Sequence, residues 1–135
     1  MHKVYRRGQN TLADALADPS AKKFHEWRQR VKYLWYNSRI SNPIWPDVME
    51  GLADEIHDLS DYLGDEHDLA ELRALLLNRP TLFNHQALRM SFISHLDRQR
   101  AELQQQASNQ GQRIYVESPD KFVARLSEYW QMSCV

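Results

Sequence analysis

The chain has 135 residues and a formal net charge of −1, with four Gly, five Pro and one Cys. That length fits a single domain, 1–135, with a buried core, and the near-zero net charge by itself argues against a general polyanion binder. No apolar run approaches the roughly 20 residues needed to cross a bilayer, and the opening MHKVYRRGQN lacks the apolar stretch of a signal peptide.

Leu and Ala are abundant, β-branched runs are almost absent and no alternating pattern persists, so the expected fold class is all-α. Helix one is predicted over residues 2–17, before Asp18-Pro19-Ser20. Ser20 can cap a second helix that runs to Ile40, and Ser41-Asn42-Pro43 is a turn. Helix three runs from about Ile44 to Leu63, with Pro46 tolerated in its first turn and Gly64 as a left-handed stop. Asp65, with Asp68 three positions on, resembles the cap of a fourth helix that Asn78-Arg79-Pro80 ends. Helix five is long, Phe83 to Gln110, and Gly111 closes it. An extended connector is possible over 113–117. Ser118-Pro119 then starts a sixth helix that ends near Met132. Short loops between amphipathic helices predict an antiparallel bundle of about six helices.

The segment FHEWRQRVKYLWY carries two stripes. Phe24, Trp27, Val31 and Leu34 recur at helical spacing and form an apolar face. His25, Arg28, Lys32, Tyr36 and Arg39 fall three or four residues apart on another. Like charges at that spacing repel, so such a row is a candidate anion-binding surface. Charge is also segregated along the chain. Lys22 to Arg39 holds six Lys/Arg against one acid, whereas Asp47 to Glu71 holds ten acids and no Lys or Arg. Either the two helices neutralise each other, or the acids face solvent while the cations line a groove. Helix five places Arg89 and Arg100 within the arc of Leu88, Phe92, Ile93, Leu96, Leu103 and Ala107. Each must pair with an acid, snorkel or line a polar groove. In helix six, Phe122, Leu126, Tyr129 and Trp130 are expected to pack inward, with Lys121 and Arg125 on an adjoining edge.

Catalytic signatures are missing: there is no nucleophile elbow, no Walker glycine loop, no Cys/His zinc spacing and no paired Glu-x-x-His. His57 with Asp54, Asp58 and Asp61 could hold a divalent ion, but reads more simply as a solvated acidic face. His25 could be a base or phosphoacceptor, or a core histidine bonded to a backbone carbonyl. No catalytic residue, metal or cofactor is assigned. Cys134 at the chain end has no partner for an internal disulfide, which with the missing leader points to the cytoplasm.

Phe24-His25-Glu26-Trp27-Arg28 followed by Arg30-Val31-Lys32-Tyr33-Leu34-Trp35-Tyr36 resembles the hallmark helix of the CHAD family, the conserved histidine α-helical domain. Leu63-Gly64-Asp65-Glu66-His67-Asp68-Leu69 with Leu72, the opening Tyr5-Arg6-Arg7-Gly8, and Tyr115 to Trp130 are similar to further parts of that family. Gln29 stands where the family usually has a basic residue, and the resemblance is to the C-terminal half of a longer domain. It implies one half of a double helical bundle around a basic groove that binds inorganic polyphosphate and directs proteins to polyphosphate granules. Carried onto this chain, the binding set is His25, Arg28, Lys32, Tyr36 and Arg39, with Arg6, Arg7, Lys22, Arg89, Arg100, Lys121 and Arg125 as additions. A homodimer or a second CHAD half would complete the groove. The alternatives are a His-dependent or metal-dependent phosphate-processing enzyme, and a helical module for protein or RNA. Nucleic acid is disfavoured because most aromatics fall on apolar stripes.

Overall fold

The computed structural model describes residues 1–134. Five α-helices account for the bundle: α1 (His2–Ala17), α2 (Ala21–Ile40), α3 (Pro46–Asn78), α4 (Gln86–Ile114) and α5 (Pro119–Ser133). Single 3₁₀ turns at Asn42–Ile44 and Pro80–Leu82 link α2 to α3 and α3 to α4. The all-α class holds, and both serine caps form: Ser20 Oγ accepts from the Lys23 N–H at 3.2 Å and Ser118 Oγ from the Lys121 N–H at 3.3 Å.

The count is five and not six because Gly64 does not stop a helix. No glycine has a positive φ, and α3 runs for 33 residues straight through Gly64-Asp65. Ile56, Leu59, Leu63 and Glu66 form one continuous buried stripe across that point. Burying it outweighs the roughly 1 kcal/mol that a mid-helix glycine costs. Gly111 likewise lies inside α4, which continues to Ile114 and leaves only a short connector before Ser118. The use of Gly111 is close approach. A Cβ there would sit 2.5 Å from Cζ2 of Trp27, a side chain with no exposed surface.

The main core joins Tyr5, Leu12 and Ala15 of α1 to Phe24, Trp27, Val31 and Leu34 of α2. Met49, Ile56, Leu59 and Leu63 of α3, Ala107 of α4, and Phe122 and Leu126 of α5 complete it. Tyr5 stacks on Phe122 with ring centroids 4.2 Å apart and donates its hydroxyl to the carbonyls of Ile114 and Glu117. Gln9 donates to the carbonyls of Tyr115 and Glu117, so α1 holds the α4–α5 connector. Burial pushes the Tyr5 hydroxyl up to about 12 and raises that of Tyr115 further.

α2 and α3 lie antiparallel, with His25 beside His67, Arg28 beside Gly64 and Trp35 beside His57. This register leaves the end of α3 and the start of α4 beyond the reach of α2. There the two helices share a separate small core, Leu76, Ile93 and Leu96. With one partner each they cannot cover their whole apolar stripe. Leu88 and Phe92, expected in that stripe, are exposed, as are Leu75, Leu77 and Met90. Trp130, expected to pack inward, is 56% exposed near the end of α5.

One buried ion pair ties α3 to α4. Arg100 donates Nε and Nη2 to Oε1 of Glu66 at 3.1 and 3.0 Å, and Gln104 donates to the same oxygen. Glu66 is 1% exposed, so its carboxylate depends on these donors.

Three outcomes are expected. Gly111→Ala should destabilise the fold by about 1–3 kcal/mol through overlap with Trp27, while Gly51→Ala, with nothing within 4 Å, should raise stability by about 1 kcal/mol in urea unfolding. Arg100→Met should cost about 3–5 kcal/mol by orphaning Glu66, and adding Glu66→Leu should recover most of it. The raised tyrosines add stability that is complete below their unfolded value of 10.0 and is lost as pH climbs towards about 12. Tyrosinate absorbance and helicity should therefore change together in that window. Titration of Tyr5 near 10 with helicity intact would refute it.

Candidate functional site

With its apolar stripe buried, α2 presents its polar residues on two flanks. One flank faces α3 across a cleft of about 340 Å3. Arg28, Lys32, Trp35 and Tyr36 form one wall, and His57, Ser60, Asp61, Gly64, Asp65 and Asp68 the other. The basic row of α2 thus looks onto the acid-rich segment of α3. The two walls nevertheless do not close. Among the described residues, no carboxylate oxygen lies within 4.0 Å of the side-chain nitrogens of Arg28, Lys32 or Arg39. The Arg28 guanidinium lies against Gly64, where an added Cβ would come 3.5 Å from Nη2. Its Nε is buried without a hydrogen-bond partner. Arg39 sits over the Trp35 ring at 4.9 Å, beside a second, larger hollow that Glu50, Asp54 and His57 also line.

On the other flank no acid among the described residues lines the surface depression. Gln29, Arg30, Lys32, Tyr33 and Tyr36 line a shallow depression of about 290 Å3 on the outer side of α2. Tyr33 and Tyr36 are 54% and 53% exposed, and Arg30 lies 6.0 Å from the Tyr33 ring centre. Lys32 belongs to both flanks. Arg30 and Tyr33 were not anticipated. Their signal was present, because a helix with one fully buried stripe exposes both neighbours of that stripe.

His67 is the third unanticipated residue. Its ring stacks on that of His25 with centroids 4.5 Å apart and 24° between planes. His67 Nε2 is 3.2 Å from Oε1 of Glu71. His25 Nε2 lies 3.4 Å from the Gln29 amide, whereas His25 Nδ1 is buried without a partner. The stacked imidazoles lie one turn from Arg28 on α2 and next to Asp68 on α3, and Trp35 against His57, centroids 5.3 Å apart, lines the cleft itself.

The remaining expected residues scatter. Lys22 is exposed one turn before His25, and Arg6, Arg7 and Lys121 are exposed on α1 and α5. Three others are engaged within the fold. Arg100 closes on Glu66, Arg89 donates to the Leu76 carbonyl at 2.9 Å, and Arg125 pairs with Glu117 at 2.6 Å. His57, Asp58 and Asp61 bring ligand atoms within 4.8 Å of one another, all exposed, and His57 already faces Asp61 at 3.4 Å. No helix is long and apolar enough to cross a membrane.

No curated protein and no solved structure matches the chain. A family model described as the CHAD domain matches residues 1–77, which span α1, α2 and nearly all of α3 and so include both walls of the cleft. The chain belongs to the CHAD domain family.

Proposed function

We propose that this CHAD domain binds inorganic polyphosphate along α2, as a binding and targeting module and not as an enzyme. Arg28, Arg30, Lys32 and Tyr36 are its central donors, and Lys22, His25 and Arg39 extend the row. One observation carries the reading. The arginines elsewhere that are not exposed are all held by partners, Arg73 by Asp97, Arg100 by Glu66, Arg125 by Glu117 and Arg89 by the Leu76 carbonyl. Those of α2 hold no carboxylate although ten acids lie in the neighbouring segment. Arg28 in particular makes no hydrogen bond among the described residues, which leaves its terminal guanidinium N–H groups for a ligand oxygen.

The row runs from Lys22 to Arg39, about 25 Å at 1.5 Å per residue. A flexible chain of phosphates can meet donors at such spacing without strict register. The carboxylates of Asp61, Asp65 and Asp68 oppose an anion deep in the cleft. The ligand is therefore assigned to the outer edge, over Arg30, Lys32 and Tyr36, with Arg28 reaching it from the side. Arg6, Arg7 and Lys121 are peripheral donors in this reading, and Arg89, Arg100 and Arg125 serve the fold. A second copy, or another helical half, would supply a facing basic wall, and a place on polyphosphate granules follows from the ligand.

RNA is the second reading, favoured by one observation. Tyr33 and Tyr36 are half exposed beside Arg30, which suits base stacking. Phosphate processing has less support, since His25 Nδ1 lacks a carboxylate to orient the ring.

Arg28→Glu with Lys32→Glu should weaken polyphosphate binding at least a hundredfold, or about 2.7 kcal/mol, with helicity unchanged by circular dichroism. The wild-type affinity should fall steeply as salt rises. Tyr33→Ala, at an exposed ring outside the donor row, should leave polyphosphate affinity within a few-fold; a collapse there, together with single-stranded RNA binding at equal affinity and salt, would favour RNA. Undiminished polyphosphate binding by the charge-reversed variant would remove the site.

A further inference from the structure

His67 is brought against His25 of the basic row by the fold alone, since it lies on α3 in an acid-rich segment and belongs to no basic stripe. Its ring and that of His25 are in stacking contact, and their remaining neighbours differ. A charged His25 would need an acceptor at both ring nitrogens, but Nδ1 is buried without one and Nε2 faces the Gln29 amide nitrogen, itself a donor, so the charge is costly there. His67 has a carboxylate at 3.2 Å, that of Glu71, and its side chain is 24% exposed. A proton shared by this pair is therefore best held on His67, with the neutral His25 ring stacked against it. Histidine is the side chain that changes charge near neutral pH without strong perturbation.

Resting on the polyphosphate reading of α2, we propose that His67 is a further determinant of the same site. It contributes a positive charge that it takes up with the anion, so that polyanion binding is coupled to protonation of the His25–His67 pair. The groups around the pair set the sign. From α2, Lys22 and Arg28 lie one turn either side of His25 and disfavour the added charge in the empty site. From α3, Glu71 favours it directly and Asp65 and Asp68 from nearby. α4 brings Arg100, already closed on Glu66, the neighbour of His67 in sequence. A polyanion laid along α2 neutralises Lys22 and Arg28 and adds its own negative field, so the balance moves towards the charged pair. By linkage, protonation must then tighten binding by the same factor.

The test is polyphosphate titration by calorimetry at pH 8 and pH 6, in two buffers of different ionisation heat, using long chains so that terminal phosphates contribute little. The wild type should take up a fraction of a proton per site and bind on the order of tenfold tighter at pH 6, the factor for one pH unit of linked charge. His67→Gln keeps the ring's hydrogen-bonding end beside Glu71 but cannot charge. Whatever its affinity at pH 8, it should gain little on going to pH 6, with reduced proton uptake. Glu71→Gln, a change at an exposed carboxylate, should reduce the uptake by less. Binding by His67→Gln with the full wild-type pH dependence would overturn the coupling and leave the polyphosphate reading standing. Failure of the wild type to bind at either pH would instead remove that reading, and the coupling with it.

Discussion

Everything at the cleft depends on the burial of one stripe of α2. Phe24, Trp27, Val31 and Leu34 have 0–2% of their surface exposed, enclosed by helices on more than one side. At roughly 1.5–3 kcal/mol for each such side chain, their burial fixes the rotation of α2 about its axis. Once the rotation is set, helical geometry leaves no choice about the rest. Arg28 must face α3, Arg30 and Tyr33 must face outward, and Lys32 and Tyr36 lie between and reach both flanks. The notch at Gly111 that receives Trp27 is thus a determinant of where the cations lie, although it is far along the chain from them.

The charges of this protein are sorted more than balanced. A net charge of −1 describes neither surface. Acids of α3 line one side of the cleft without reaching the cations opposite, while several arginines elsewhere are closed on single partners.

Much of this was legible in the sequence. The caps at Ser20 and Ser118, the apolar stripe of α2 and the bounds of α1 and α2 rest on local rules that nothing in the fold opposes. The misreadings at Gly64 and Gly111 share a cause. A glycine signals a helix end only when the chain needs a positive φ there, and the stripes through Leu63–Glu66 and Ala107–Gly111 show that packing needed the helix to continue. Leu88, Phe92 and Trp130 failed for the opposite reason: their periodicity is helical, but no neighbouring helix covers them. Arg100 could be recognised as a cation in an apolar arc, yet its partner Glu66 lies 34 residues away and only the fold brings them together. His67 was invisible as a neighbour of His25 because the register between α2 and α3 cannot be read from either helix alone.

The overhanging end of the α3–α4 hairpin gives the molecule an uneven resistance to opening. Its small core has three buried side chains, and Arg89 adds one bond to the Leu76 carbonyl. The other end of α3 is clamped by the whole main core. Local unfolding draws on the least buried contacts first, so amide exchange should be fastest from the 3₁₀ turn at Pro80–Leu82 outward and slow sharply on reaching Glu66. α3 is then one continuous helix with two stabilities. Its frayed end can open and close many times while the wall that carries Gly64 and Asp61 stays in place.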